Sequence, residues 1–455
     1  MMVRSLGVLT AGCGEIREVS RCPGAFSALA RGLLLLVILT VYIGAMPFLI
    51  LFSPQLLYGM YLAIISGAAT ILFFDYSEVR GLRWVAPYLA WVCFYCYWGA
   101  LVAPPEMPLG EVAKTCLKSL LVICGLALAL HGRDAVARFA NGVQIAAMVN
   151  MGIAVWETGR PDIVLKLARA HDPTATAFNV ERPAGIWSNP DEASFAYLFA
   201  ILVSFWGRGP LVWLGRIACV VGIFLTASRT GAYVLGLFTL VYVLGQAKAF
   251  RLRPGTVASI LFGVLALGGA LTVAAKLAPH GSFDLSENRQ VRRILDFSEN
   301  DVRSNGQLGR TDIARLAADE VFGGPWYGHG IYTFQIENQR YAALKIGAHN
   351  LYITVWGESG FPGGVSYFLL LALGFSRVFK RSLSPHDRLL LMLLWGGYLV
   401  IGLTWHNQVT SFAGMLYSGC LWHLPGVLAA NEAENSDKPM EKSAYDEVPE
   451  SLGAG

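Results

Sequence analysis

Apolar residues fill this chain in blocks of fifteen to twenty-six, broken by short polar stretches. A membrane span needs about 20 mostly apolar residues, so the pattern predicts a set of hydrophobic helices rather than strands. Twelve blocks qualify, near 33–52, 55–74, 84–103, 115–131, 135–157, 192–206, 211–227, 231–247, 256–278, 350–375, 388–404 and 407–429. The block at 192–206 is short, and the pair 211–227/231–247 is joined by almost nothing.

Charge placement tests that count independently, because Lys and Arg favour short cytoplasmic loops. With the N-terminus inside, the inner segments carry Arg4, Arg17, Arg21 and Arg31; Arg80 and Arg83; Arg133 and Arg138; Arg208 and Arg216; Lys248, Arg251 and Arg253; and Arg377, Lys380, Arg381 and Arg388. The short outer loops are almost free of cations, and Arg229 in the turn TASRTG is the exception. A missed span would invert every later loop and spoil this pattern. The expected architecture is an all-α polytopic membrane protein of about twelve transmembrane helices. A cytoplasmic tail covers 1–32, the helical domain 33–430, and a disordered acidic cytoplasmic tail 431–455. Two outer segments are longer, 158–191 and the loop 279–349, and long translocated loops escape the charge rule.

Composition agrees with the membrane reading. The chain is 55% hydrophobic and 15% charged, against about 25% charged in soluble domains. Mean hydropathy is +0.50. The net charge of +4 reads as loop bias, with no basic arm and no nucleic-acid motif. The cysteines follow no disulfide or metal pattern. Cys93 and Cys96 spell C-x-x-C, but inside the apolar run WVCFYCYW, where free thiols behave as small hydrophobes.

Candidate chemistry concentrates on the outer side. Arg229 joins two apolar runs, and its guanidinium fork matches phosphate geometry; the alternative is an arginine snorkelling at a helix end. After Arg310, Ile313, Leu316, Ala317 and Val321 share one helical face, with Thr311, Arg315 and Asp319 on the other. That spacing suits a helix lying along the bilayer surface or an ordinary surface helix. His349 stands just before the 350–375 block, and an imidazole there suits a general base for a sugar hydroxyl; a capping or interface role is the alternative. Arg182 and Trp187 precede Asn189-Pro190, with Asp191-Glu192 suited to a first helical turn. This cation and aromatic could hold a sugar phosphate or anchor the interface. Asp296 and Asp301 lack metal-ligand spacing, so neither a metal nor another cofactor is expected.

Read in order, Arg182-Pro-Ala-Gly-Ile-Trp-Ser-Asn-Pro190, Ser228-Arg229-Thr-Gly231, Gly309-Arg310, Trp326-Tyr-Gly-His-Gly330, His349-Asn-Leu-Tyr-Ile and Glu358-Ser-Gly-Phe-Pro-Gly363 resemble the bacterial O-antigen ligase and polysaccharide polymerase superfamily. The resemblance covers roughly 180–375. It implies a GT-C-like helical fold in the inner membrane, with amphipathic helices in the large periplasmic loop, while the charge pattern and the even span count put both termini in the cytoplasm. It implies transfer of a glycan from undecaprenyl diphosphate to an acceptor sugar at the periplasmic face, without a metal. By that likeness His349 would activate the acceptor, and Arg229, Arg310 and Arg182 would bind the diphosphate. The expected acceptor is lipid A–core, for a ligase. A polymerase using another lipid-linked glycan is the near alternative, and a transporter or flippase the distant one.

Overall fold

The computed structural model describes residues 21–42, 54–75, 79–105, 107, 109–158, 183–185, 187, 190–226, 228–249, 310–334, 348–405 and 408–437. Among these every regular element is helical. In chain order they are α1 (Arg21–Tyr42), α2 (Pro54–Phe74), α3 (Val79–Leu82), α4 (Ala86–Leu101), α5 (Leu109–Ala129), α6 (Gly132–Thr158), α7 (Pro190–Val203), α8 (Pro210–Leu225), α9 (Arg229–Ala249), α10 (Arg310–Gly323), α11 (Leu351–Ser376), α12 (Pro385–Gly402) and α13 (Phe412–Asp437). Short 3-10 turns follow α7 at Ser204–Trp206 and α11 at Arg377–Phe379.

Each expected apolar block falls on a helix where it lies within the described residues; residues 43–52 of the first block and the whole block at 256–278 lie outside them. Two ends differ from expectation. The first helix begins at Arg21 rather than near 33, with Pro23 in its first turn, where a missing N–H costs nothing. The last helix runs on through the polar residues to Asp437. Three helical segments, Leu109–Ala129, Gly132–Thr158 and Leu351–Phe379, are long and apolar enough to cross a membrane, and shorter apolar helices cover Ser27–Thr40, Gly59–Phe73, Pro210–Leu225 and Thr230–Gly245.

The short block at 192–206 has a physical reason. Helix α7 rises only about 21 Å at 1.5 Å per residue, less than the roughly 30 Å hydrocarbon layer. It is also buried along nearly its whole length, from Pro190 to Val203. It packs against α6, α8, α9, α12 and α13, so it is walled by protein rather than by lipid. The core around it is aromatic. Phe199 meets Tyr417 at 4.9 Å, Tyr417 meets Tyr398 at 5.6 Å, and Trp395 meets Trp422 at 6.4 Å between ring centroids. Buried hydroxyls are bonded: Tyr417 donates to Leu394 O at 2.8 Å and Ser418 to the Tyr398 hydroxyl at 3.1 Å. Apolar surface gains nothing from leaving lipid for protein, so close packing and such bonds hold helices together in a bilayer.

Contacts sort the helix ends into two groups. At one end Arg133 pairs with Asp387 at 3.0 Å and with Glu432 at 3.1 Å. There too Arg208 pairs with Asp134 at 3.0 Å, and Arg377 donates to Trp84 O at 2.6 Å. Asp387 is fully buried and also accepts from Trp206 Nε1 at 2.8 Å, tying α6, α12, α13 and the turn after α7 into one knot. At this basic end, Arg133, Arg208 and Arg377 are among the cations expected on the inner side, whereas Arg4, Arg17, Arg251 and Arg253 lie outside the described residues. The start of α11 lies at the opposite end, because the Tyr352 hydroxyl donates to Leu399 O near the finish of α12 at 2.8 Å.

Candidate functional site

The segment 324–334 is a backbone plug in a broken helix. Helix α11 breaks at Gly360, where φ is 62° and ψ −162°, and Pro362 follows inside the helix. Proline has no N–H for the carbonyl four residues back, which is that of Glu358. Gly330 N–H donates to Glu358 O instead, at 2.9 Å. Phe361 N–H is turned away from Gly357 O and donates to Trp326 O at 2.7 Å; His329 N–H then takes Gly357 O at 2.9 Å. The turn thus replaces the helix bonds that the break removes, as broken helices in a membrane require. The fit needs glycine on both sides, since a Cβ on Gly328 would strike Gly360 N and a Cβ on Gly360 would strike Trp326 O.

Helix α4 holds the plug from behind. Trp98 Nε1 donates to Tyr327 O at 3.0 Å, and Ile331 N–H donates to Gly99 O at 3.0 Å. Beneath it Glu358 is fully buried. Its Oε2 accepts from the Tyr95 hydroxyl of α4, and its Oε1 accepts from Phe334 N–H at 3.3 Å. A carboxylate removed from water needs such donors. Glu358 lies inside the expected block 350–375, within the motif Glu358-Ser-Gly-Phe-Pro-Gly363. Tyr332 is buried as well, hydrogen bonded to Thr115 Oγ1 of α5, and burial pushes its phenol pKa up.

His349 sits where three pieces meet. Ala348 is buried against Ala317 of α10 and Phe334 of the plug, and its N–H donates to Phe334 O at 3.2 Å. His349 itself is half-buried with φ at 48°, in the left-handed region. Such backbone is uncommon outside glycine, though His is among the residues that tolerate it, and it clusters at functional positions. Asn350 is the N-cap of α11, its Oδ1 accepting from Tyr352 N–H at 3.0 Å and Ile353 N–H at 3.1 Å. The capped helix start fixes the direction in which the chain delivers His349. Nearby His329 Nε2 lies 3.7 Å from Glu320 Oε1 of α10.

Arg310 is the first residue of α10, and that helix packs along α11. Of the residues expected to share one apolar face, Ile313, Ala317 and Val321 turn to the protein, whereas Leu316 is exposed. Ile313 and Ala317 are one i,i+4 row, and Leu316 lies a step to its side.

Arg229 is the first residue of α9, at the end of the bundle away from the basic end, because Gly245 near the helix finish meets Leu389 at the start of α12. Ser228 before it is buried and accepts from Gly231 N–H at 3.4 Å. A Cβ on Gly231 would strike Ser194 Oγ, so the glycine of the S-R-T-G run lets α9 close on α7. Helix starts favour anions nearby, through free N–H groups and the helix dipole. The Arg229 and Arg310 side chains, and all of Arg182, lie outside the described part of the structure.

The chain next to Arg182 is held by α6. Glu157 Oε2 accepts from Ala184 N–H at 3.0 Å and Gly185 N–H at 2.8 Å. Asn150 Nδ2 donates to Ala184 O at 3.2 Å and to the Tyr197 hydroxyl at 2.7 Å. Trp187 is 4% exposed and packs edge-on against Tyr197 at 5.4 Å, so it is a core residue rather than an interface anchor or a sugar platform. Asp191 and Glu192 do occupy the first turn of α7.

The other histidines are settled in part. His423 is buried, with Nε2 2.9 Å from Leu130 O at the basic end; His406 lies outside the described residues. The described cysteines are free, and Cys93 and Cys116 bring their sulfurs to 4.0 Å. Among the described residues no group of His, Cys, Asp and Glu could hold a metal ion.

Buried helices, lipid-length apolar segments and a plugged helix break beside a strained histidine define a helical membrane protein with its candidate site at one end of the bundle. Residues 214–368 match the O-antigen ligase family. That segment runs from within α8 through the break in α11, and the match supports the O-antigen ligase and polymerase resemblance that the sequence motifs carry. No curated protein matches the chain.

Proposed function

We propose that this protein is an inner-membrane glycosyltransferase that moves a glycan from undecaprenyl diphosphate to an acceptor sugar at the periplasmic face. The observation that carries this is His349, held with φ at 48° on a capped helix start within the O-antigen ligase segment. The acceptor hydroxyl attacks the anomeric carbon of the lipid-linked sugar and gives its proton to the His349 imidazole. The anomeric C–O bond breaks, and its electrons leave on the diphosphate. Arg229, Arg310 and Arg182 neutralise that developing charge, which preorganised cations do best in a water-poor site. Helix starts at Arg229 and Arg310 add dipoles of the same sign. The protein's own groups carry this chemistry, without a metal.

We read the acceptor as lipid A–core and the protein as a ligase with twelve spans, a GT-C-like arrangement and both termini cytoplasmic. A polymerase would use the same donor with another lipid-linked glycan as acceptor. A transporter would also want a broken helix near its site, but here protein backbone fills the break in α11. Deleting the gene separates these readings. A ligase leaves full-length polymer stranded on its lipid carrier, a polymerase leaves single repeats, and a flippase leaves donor trapped on the inner side. In membranes carrying His349→Ala, transfer of carrier-linked glycan should disappear at normal protein levels; near-normal transfer would remove the base from the mechanism.

A further inference from the structure

The basic end holds a second charged cluster that glycan transfer does not use. Trp84 is its centre. Lys380 Nζ lies 3.9 Å from the Trp84 ring centroid, and Arg83 Cζ lies 4.6 Å from it. Arg377 Cζ is 5.9 Å from the same ring and 4.6 Å from that of Trp422, and its Nη1 holds Trp84 O. The three cations come from the turn after α3 and from the chain after α11, so the fold brings them together.

None of the three has a carboxylate partner among the described residues. The acids that pair at this end are committed elsewhere: Asp75 to Arg31, Asp134 to Arg208, and Asp387 and Glu432 to Arg133. Partial burial and the neighbouring Arg377 and Arg83 push the Lys380 ammonium below its ordinary pKa. Like charges gathered around indole faces are partly offset by cation–π attraction, and a bound anion would offset the rest. Arg83 is exposed and Arg377 and Lys380 are half-buried, so the cluster is open to a ligand.

We propose that Arg83, Arg377 and Lys380, gathered around Trp84, bind the phosphate of an anionic phospholipid headgroup at the end of the bundle opposite His349. Placement fits the source. The cluster directly follows the apolar segment Leu351–Phe379, where a lipid phosphate would stand if that segment crosses the bilayer. The guanidinium groups suit phosphate oxygens, and the indole supplies an apolar floor for the glycerol carbons.

The test uses the full chain in phosphatidylcholine nanodiscs, titrated with phosphatidylglycerol and separately with inorganic phosphate. Unfolding temperature and lipid retained in native mass spectrometry are the readouts. Phosphatidylglycerol should raise both, and inorganic phosphate should not. Arg83→Gln and Lys380→Gln should each raise the half-saturating lipid fraction about fivefold, and together about 25-fold. Arg208→Gln, whose cation is already paired, should leave it unchanged. A double variant that titrates like the parent, or an equal loss in Arg208→Gln, would overturn the site. Equal stabilisation by inorganic phosphate would overturn the lipid. Each readout is independent of transfer activity, so neither result bears on the glycosyltransferase reading.

Discussion

Replacing Gly360 with alanine tests whether the plugged break in α11 supports the site. The conformation at φ 62° and ψ −162° is all but closed to side chains, and holding alanine there costs on the order of 1–3 kcal/mol. The new methyl would also press on Trp326 O, Tyr327 C and Gly328 N. Relieving that contact expels the plug and its three bonds of 2.7–2.9 Å to Gly357, Glu358 and Phe361, each worth about 1 kcal/mol net. The expected loss is about 4–6 kcal/mol. The assay is thermal unfolding of purified protein in detergent, read beside glycan transfer in membranes. Unfolding should move down by many degrees. Transfer should fall about a hundredfold if His349 shifts by about 1 Å. Gly236→Ala is the matched control, because nothing lies within 4 Å of a Cβ there; that exchange in a helix interior should stabilise by about 0.5–1 kcal/mol. If Gly360→Ala unfolds with the parent and transfers normally, the plug does not hold the helix and the reasoning fails.

Three further outcomes follow from the same contacts. Glu358→Leu should destabilise by about 2–4 kcal/mol, because the Tyr95 hydroxyl and Phe334 N–H lose their acceptor in the interior. Glu358→Gln keeps an acceptor and should cost far less, and similar unfolding temperatures for the two variants would contradict the role. Arg229→Lys should lower transfer without changing expression, since lysine keeps charge but loses the fork; full activity would show that charge alone suffices. Asp387→Ala should cost about 2–3 kcal/mol, because Trp206 Nε1 and Arg133 lose a buried carboxylate, and an unchanged unfolding temperature would show the knot to be idle.

Much of the helical layout was legible in advance, because apolar blocks of lipid length carry their own signal. The weakest block proved short for a reason no periodicity contains: α7 is enclosed by protein, so its length is not set by lipid. Trp187 misled for a similar reason, since an aromatic beside a polar turn looks exposed until Tyr197 is placed against it. The motifs Glu358-Ser-Gly-Phe-Pro-Gly363 and Trp326–Gly330 both stood out in the sequence, yet neither the break at Gly360 nor their pairing did. Their pairing runs through backbone groups, which every residue has. His349 and the arginine-bearing helix starts stood out by residue type and order, whereas Glu157, Asn150 and Asp387, which hold loops and ends in place, are ordinary polar residues until their neighbours are known.

The matched segment 214–368 is not a unit that could fold when cut free. Its plug hangs on Trp98 and Gly99, and the acid beneath it is neutralised of its hunger for donors partly by Tyr95, all on α4. Tyr332 reaches still further back, to Thr115 on α5. A fragment beginning at 214 would leave a buried carboxylate and several backbone groups without those donors and acceptors. The boundary that similarity draws is therefore not a folding boundary. Chimaeras that exchange this segment between related proteins should succeed only when the part of α4 from Tyr95 to Gly99 travels with it.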